Sequence, residues 1–137
     1  MPSMLPMLID TSGFFAMHSE KDRNHLPAID LYQKTRTRLT TNYVLAEYVA
    51  LALIRGLPRQ KVLSFSEEIL CDETTTIVWV DETLHAQAVE LLQARPDKGY
   101  SLCDAVSFVL MRERGILEAL TTDKHFAQEG FIRLLDP

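Results

Sequence analysis

Two distant segments of this sequence end an apolar run on a carboxylate. "MLID" ends on Asp10, and "ALTTD" ends on Asp123. Each run is short enough for a buried strand. If the two strands are parallel, both acids leave the sheet at the same edge, which is where parallel sheets place their sites. Taken singly, each acid is more simply a turn residue or a helix cap.

Glu47 is the only charged residue from Tyr43 through Ile54. Because this stretch is apolar on nearly every side, we expect a buried helix, and a buried carboxylate needs a partner. An arginine, backbone donors or a cation would each meet that need. The alternative is a partly exposed Glu in the first turn, near the positive end of the helix. The predicted helix follows the second strand, so Glu47 should lie near the same sheet edge.

Asp104 is the only charged residue between Lys98 and Arg112. Ser101 and Asp104 have the spacing of a capping box, although the usual partner at the later position is Glu or Gln. The alternative is that Asp104 projects from the first turn of a helix towards the sheet edge. Both interpretations place its carboxylate at the start of a helix.

Carboxylates gathered within a few ångströms cannot all remain ionised in isolation. Oxygen-rich clusters are the sites that Mg²⁺ or Mn²⁺ prefers, and a cation held there activates water and neutralises charge on phosphoryl oxygens. The two cysteines and four histidines form no cluster in the sequence. The four acids therefore indicate metal-assisted phosphoester hydrolysis rather than zinc chemistry.

Short apolar runs alternate with amphipathic stretches along the whole chain. We predict strands at 7–9, 38–41, 74–80 and 116–122, with a possible fifth at 131–135. We predict helices near 22–34 and at 42–56, 57–70, 81–95 and 101–115, and a loop or turn at 123–130. The alternation predicts one α/β domain over residues 1–137, with a four- or five-stranded parallel sheet between two layers of helices.

The composition, 47% hydrophobic and 24% charged with a net charge of −5, is that of a globular protein without a broad phosphate-binding surface. No apolar run reaches the roughly 18 residues of a membrane span. The N-terminal segment lacks a signal-peptide pattern, and two cysteines, Cys71 and Cys103, suggest small reduced core residues. We therefore expect a cytoplasmic protein.

Four motifs together resemble the PIN-domain nucleases, and within them the VapC-type toxins of toxin–antitoxin pairs. These are "LIDTSGFFA", "TTNYVLAEYVAL", "SLCDAVSFVLM" and "LTTDKHFAQEGF", in that order over essentially the whole chain. The resemblance implies a metal-dependent endonuclease acting on single-stranded or structured RNA. It also implies a homodimer that is silenced by an antitoxin protein. The acids it assigns to the site are Asp10, Glu47, Asp104 and Asp123, supported by Thr11 or Ser12 and by Thr121.

The mechanism that follows from this resemblance is a hypothesis about roles. Asp10 and Asp123 would bind Mg²⁺ or Mn²⁺ directly, and Asp104 directly or through water. Glu47 would orient or deprotonate the attacking water. In-line displacement of the 3′ oxygen would leave 5′-phosphate and 3′-hydroxyl ends.

Other readings remain open at this point. A HAD-type phosphatase would need a second acid where Ser12 stands, and a receiver domain would need an early pair of acids. A stand-alone PIN nuclease in RNA processing, or a PIN-like module that binds without cleaving, fits the same motifs. We interpret His125 as a surface loop residue, and Trp79 and Tyr48 as core residues.

Overall fold

The computed structural model describes residues 5–137. Residues 1–4 lie outside the described part, and they include the start of the N-terminal segment that we judged not to be a signal peptide. Five parallel strands form one sheet in the order β3-β2-β1-β4-β5. The strands are β1 (Met7–Ile9), β2 (Arg38–Thr41), β3 (Thr75–Val78), β4 (Glu118–Leu120) and β5 (Ile132–Arg133). The predicted fold class is confirmed, and the possible fifth strand is present.

Helices cover both faces of the sheet, because its central strands are apolar on both sides. The helices are α1 (Thr11–His18), α2 (His25–Lys34), α3 (Asn42–Ile54), α4 (Arg59–Cys71), α5 (Glu82–Ala94), α6 (Leu102–Arg114) and α7 (Lys124–Gln128). Met7 and Ile9 belong to the core with α1 to α4, whereas Leu8 packs with α6. The alternation along β1 therefore divides the core into two layers.

The helix α6 ends where the sequence predicts it. Gly115 adopts a left-handed conformation with φ of 67°, and its N–H bonds to the last turn. The helix α3 begins at Asn42, as predicted, and the Thr41 side chain caps it by accepting from Val44 N–H. Asn42 Oδ1 instead accepts from Val80 N–H, 2.7 Å away, which fastens α3 to the chain after β3.

Two helices are absent from the prediction. The α1 segment "TSGFFAMH" is buried on most sides, so it carries no amphipathic period. The α7 segment "KHFAQ" is a single turn and a half, and its Asp123 cap resembles a turn signal. Both helices begin directly after a strand-terminal acid, so both bear on the site.

Three predictions about burial have different outcomes. Tyr48 is fully buried, as predicted, but Trp79 is 66% exposed, so the prediction of a core tryptophan is wrong. Cys103 is buried, whereas Cys71, predicted as a core residue, is exposed, and both are free thiols.

No helix in the described part of the chain is long and apolar enough to cross a membrane.

Candidate active site

Asp10 and Asp123 leave the sheet from neighbouring strands. Ile9 pairs with Leu120 in the register of β1 and β4, and Asp10 N–H donates to Leu120 C=O at 3.2 Å. Asp10 then precedes α1, and Asp123 precedes α7. The parallel register therefore places both acids at the carboxyl edge of the two central strands, as the sequence predicts.

Threonine and serine hydroxyls join these two segments. Thr121 Oγ1 donates to Asp10 Oδ2 at 2.8 Å and accepts from Asp123 N–H at 3.0 Å. Ser12 Oγ lies 3.1 Å from Thr121 Oγ1 and accepts from Thr122 N–H at 3.0 Å. Of the predicted supporting residues, Ser12 and Thr121 lie in this network. The third, Thr11, has a buried hydroxyl with no hydrogen-bond partner in the described residues.

Gly13 allows α1 to approach β4 closely enough for these bonds. A Cβ atom on Gly13 would lie 2.2 Å from the Leu120 carbonyl oxygen. Since that oxygen belongs to the strand backbone, a side chain would have to push α1 away from β4. The pairing of Asp10 with Thr121 therefore depends on the glycine in "DTSG".

Asp10 is a buried carboxylate whose charge the protein does not compensate. It occupies the N-cap position of α1, yet its side chain makes no capping bond. Only 4% of the residue is exposed, and Oδ1 has no hydrogen-bond partner among the described residues. Burial above all raises the pKa of Asp10 to about 7, the charges of Asp104 and Glu47 add to this, and the Thr121 bond opposes it.

Asp104 lies at the start of α6 and meets Asp123 through His125. The predicted capping box is present, since Ser101 N–H donates to Asp104 Oδ2 and Asp104 N–H donates to Ser101 Oγ, both at 3.0 Å. His125 Nδ1 lies 3.2 Å from Asp104 Oδ2 and 3.3 Å from Asp123 Oδ1. Burial raises the pKa of Asp104, and the charge of Asp123 raises it further, although Ser101 and His125 oppose the shift.

Glu47 is exposed, so the expectation that its carboxylate is buried is wrong. One face of α3 is left uncovered, and Ala46 and Ala50 share that face with Glu47. Because these exposed residues are alanines, the sequence shows no polar face at this position. Glu47 still lies near the other acids, since its charge contributes to the raised pKa values of Asp10 and of the Cys103 thiol.

His125 lies in this site, although we predicted it to be a surface loop residue. It is half-buried in α7 rather than in a surface loop, and its backbone N–H donates to Asp123 Oδ1 at 2.9 Å. The available signal was its position two residues after a helix-capping acid, where the first helical turn brings the two side chains together.

The donor set fits a divalent cation. Ligand atoms of Asp104, Asp123 and His125 all lie within 4.8 Å of one another. The unpartnered Oδ1 of Asp10 is a buried oxygen for which the described residues supply no donor. Carboxylate oxygens are the ligands that hard cations take, and a cation would remove the mutual repulsion of the acids. This acidic cluster can therefore hold a divalent metal ion.

Comparison with known proteins supports the same assignment. The PIN domain model matches residues 7–131. The chain is 30% identical to a VapC ribonuclease of Archaeoglobus fulgidus, over 88% of this chain and 78% of that protein. It is 31% identical to the 23S rRNA-specific endonuclease VapC20 of Mycobacterium tuberculosis, over 93% of this chain and 97% of that protein.

A solved structure shares the fold over almost the full length. The crystal structure of Mycobacterium tuberculosis VapC20, described as a toxin that cleaves the sarcin–ricin loop, superposes with a TM-score of 0.85 at 28% identity. The match covers 96% of this chain and 99% of that one. These similarities confirm the predicted resemblance to PIN-domain ribonucleases of the VapC type. The chain belongs to the PIN domain family.

Proposed function

We propose that this protein is a metal-dependent endoribonuclease and the toxin of a VapBC-type pair. The observation that carries the proposal is Asp10, a buried carboxylate with one oxygen unpartnered, beside the cluster of Asp104, Asp123 and His125. A protein gains nothing in stability from leaving such a group uncompensated. The arrangement makes physical sense if a cation completes it.

The acids Asp10, Asp104 and Asp123 would hold the cation, which we take to be Mg²⁺ or Mn²⁺. Such a cation would lower the pKa of a bound water molecule and offset charge on the phosphodiester oxygens. Thr121 orients Asp10 and the loop of Asp123 through its two hydrogen bonds. Glu47 stands exposed at the rim, where its carboxylate can orient the attacking water and accept its proton.

The relatives direct the choice of substrate and partners. Because VapC20 is a 23S rRNA-specific endonuclease that spans the same length, we propose a structured rRNA stem–loop as the substrate of this chain. An antitoxin protein would hold the nuclease inactive. We further propose that residues 1–137 form one catalytic domain, that two copies form a homodimer, and that the protein acts in the cytoplasm, where ribosomes are found.

The test is cleavage of a labelled 23S rRNA fragment containing the sarcin–ricin loop. We expect cleavage with Mg²⁺ or Mn²⁺, loss of cleavage in EDTA, and 5′-phosphate ends on the products. Asp10→Asn should lower the rate by about a thousandfold or more, because the variant loses the charge that holds the cation. Asp30→Asn is the matched control, since Asp30 is an exposed partner of Lys34 on α2.

Full activity in a folded Asp10→Asn protein would refute the proposed site. Cleavage that persists after removal of divalent ions would refute metal dependence. A protein that binds the RNA without cutting it, with either metal present, would favour the binding module over the enzyme.

A further inference from the structure

We propose that His125 supplies Nδ1 as a ligand of the cation held by Asp104 and Asp123, and that this nitrogen makes the site prefer Mn²⁺ over Mg²⁺. The inference rests on the proposed function, because it concerns the same cation. The acids alone would not carry it. A second observation concerns Asp10, which Thr121 joins to the backbone of Asp123: its Oδ1 is buried and has no hydrogen-bond partner among the described residues.

The spacing of the three ligand atoms suits one cation. His125 Nδ1 lies 3.2 Å from Asp104 Oδ2 and 3.3 Å from Asp123 Oδ1. Octahedral ions with ligands at about 2.1 Å place neighbouring ligand atoms about 3 Å apart, the edge of the octahedron. The distances from Nδ1 to the two carboxylate oxygens are therefore close to the spacing of neighbouring ligands on one cation.

The imidazole of His125 also has a contact outside the acidic cluster, with Tyr100. Its ring packs edge-on against Tyr100, with centroids 5.3 Å apart and an interplanar angle of 66°. The Tyr100 hydroxyl donates to Glu129 Oε1 at 3.0 Å. With the proton on Nδ1, the ring can donate to Asp104 Oδ2, 3.2 Å away. With the proton on Nε2 instead, Nδ1 presents its lone pair to the same point.

The choice of metal follows from the chemistry of the ligands. Mg²⁺ takes oxygen ligands and retains water, whereas imidazole nitrogen binds transition ions better. A site with one nitrogen and several carboxylate oxygens still suits Mn²⁺, which accepts both. An all-carboxylate site would lack the contribution of this nitrogen. His125 thus distinguishes this cluster from one made of acids alone.

The direct test is pulsed EPR on the Mn²⁺-loaded protein. A coordinated imidazole gives a nitrogen modulation in the Mn²⁺ signal, and incorporation of ¹⁵N-histidine changes its frequency. We expect the modulation in the wild type, its loss in His125→Asn, and its retention in His25→Asn. His25 is the matched control, because its Nδ1 bonds to the Ala16 carbonyl oxygen at the far end of α1.

The second readout is affinity for each ion by calorimetry. Removal of a ligand in His125→Asn should weaken Mn²⁺ binding by about tenfold or more, the scale seen even for outer partners of a metal site. Mg²⁺ binding should change by less than about twofold, since Mg²⁺ gains little from imidazole. If His125 only hydrogen-bonds the carboxylates, its removal frees them, and Mn²⁺ affinity stays equal or rises.

Absence of nitrogen modulation in the wild type overturns the inference, and the ¹⁵N measurement needs no variant to fold. Modulation that survives in His125→Asn overturns it as well. RNA cleavage that depends on metal and on Asp10, together with either result, leaves the proposed function standing. A wild-type protein that binds no Mn²⁺ at all would remove the basis of both the inference about His125 and the proposed function.

Discussion

Two of the buried carboxylates, Asp10 and Glu129, have opposite environments. The Glu129 side chain is 4% exposed, and its oxygens accept two bonds from Arg95, at 3.0 and 3.1 Å. Arg112 lies 2.6 Å from it, and the Tyr100 hydroxyl donates to it as well. Asp10, which is also buried, has a single side-chain donor and one oxygen with no partner among the described residues.

The pKa values follow this difference in partners. Burial alone would raise the pKa of Glu129, but the bonds from Arg95, Arg112 and Tyr100 outweigh it, and the pKa is lowered. For Asp10 burial prevails, and the pKa rises to about 7. A carboxylate with little exposure is thus a structural group in one place and a group awaiting a cation in the other. The two differ most plainly in their hydrogen-bond and ion-pair partners.

The largest expected effect is on stability as a function of pH. The folded pKa of Asp10 lies above its unfolded value of 3.8, so ionisation favours unfolding, and stability falls as pH rises towards the folded pKa. A shift of this size costs the metal-free protein about 3 kcal/mol between pH 5 and pH 8. The Asp10→Asn variant should not show this loss of stability between pH 5 and pH 8, because it has no carboxyl group to ionise at this position.

Urea unfolding of the wild type and Asp10→Asn, in EDTA at both pH values, measures the difference. Groups distant from Asp10 titrate alike in both proteins and cancel in the comparison, whereas Asp104, whose charge is coupled to Asp10, contributes to the difference between them. Parallel curves for the two proteins would show that Asp10 is not an uncompensated charge.

Glu129→Gln should produce a smaller effect of the opposite sign. Loss of the charge-assisted bonds should destabilise the protein by about 2 kcal/mol at pH 7, since the partly exposed arginines can turn to water. The lowered pKa means that this contribution is present at neutral pH and disappears as pH falls below about 4.5. Urea unfolding at pH 7 and pH 4 measures both.

Asp97→Asn is the control for that experiment. Asp97 pairs with Lys98 at 3.8 Å on the surface, so the change should cost less than about 0.5 kcal/mol. A similar loss in both variants would mean that the Glu129 pairs contribute no more than a surface contact does.

The smallest effect is expected for Thr121→Val, at about 1 kcal/mol. The variant removes the hydroxyl that donates to Asp10, so the pKa of Asp10 should rise further and cation binding should weaken at pH 7. Thr40→Val is matched to it, because Thr40 is a buried strand threonine whose hydroxyl donates to the Ile9 carbonyl. Carboxyl titration by ¹³C NMR separates them: equal shifts of Asp10 in both variants would contradict the role of Thr121.

The fold was largely predictable because its signals are local. The strands predicted at residues 7–9 and 38–41 match β1 and β2 without error, and Gly115 marks the end of α6. The segments predicted at 74–80, 116–122 and 131–135 contain shorter strands, since the ends of a run do not show where pairing stops. The helix α1 escaped prediction because a helix buried on most sides has no polar face.

Glu47, Trp79 and His125 show where sequence reasoning fails at the level of the site. A helix of alanine and leucine with one acid predicts a buried carboxylate, but α3 leaves the Glu47 face uncovered. "TIVWV" predicts a core tryptophan, but the strand ends at Val78, one residue before Trp79. His125 seemed isolated because its second partner, Asp104, belongs to a different helix.

The sequence by itself determined that two acids follow two strands, that Ser101 and Asp104 begin a helix, and that the strands lie parallel. These properties depend on neighbouring residues in the chain and on the spacing of apolar residues, both of which can be read from the sequence. Tertiary structure alone decided which oxygen of Asp10 lacks a partner, that Glu129 meets two arginines, and which way His125 faces. The energy of a buried charge is set by the few groups around it, and those groups come from distant parts of the chain.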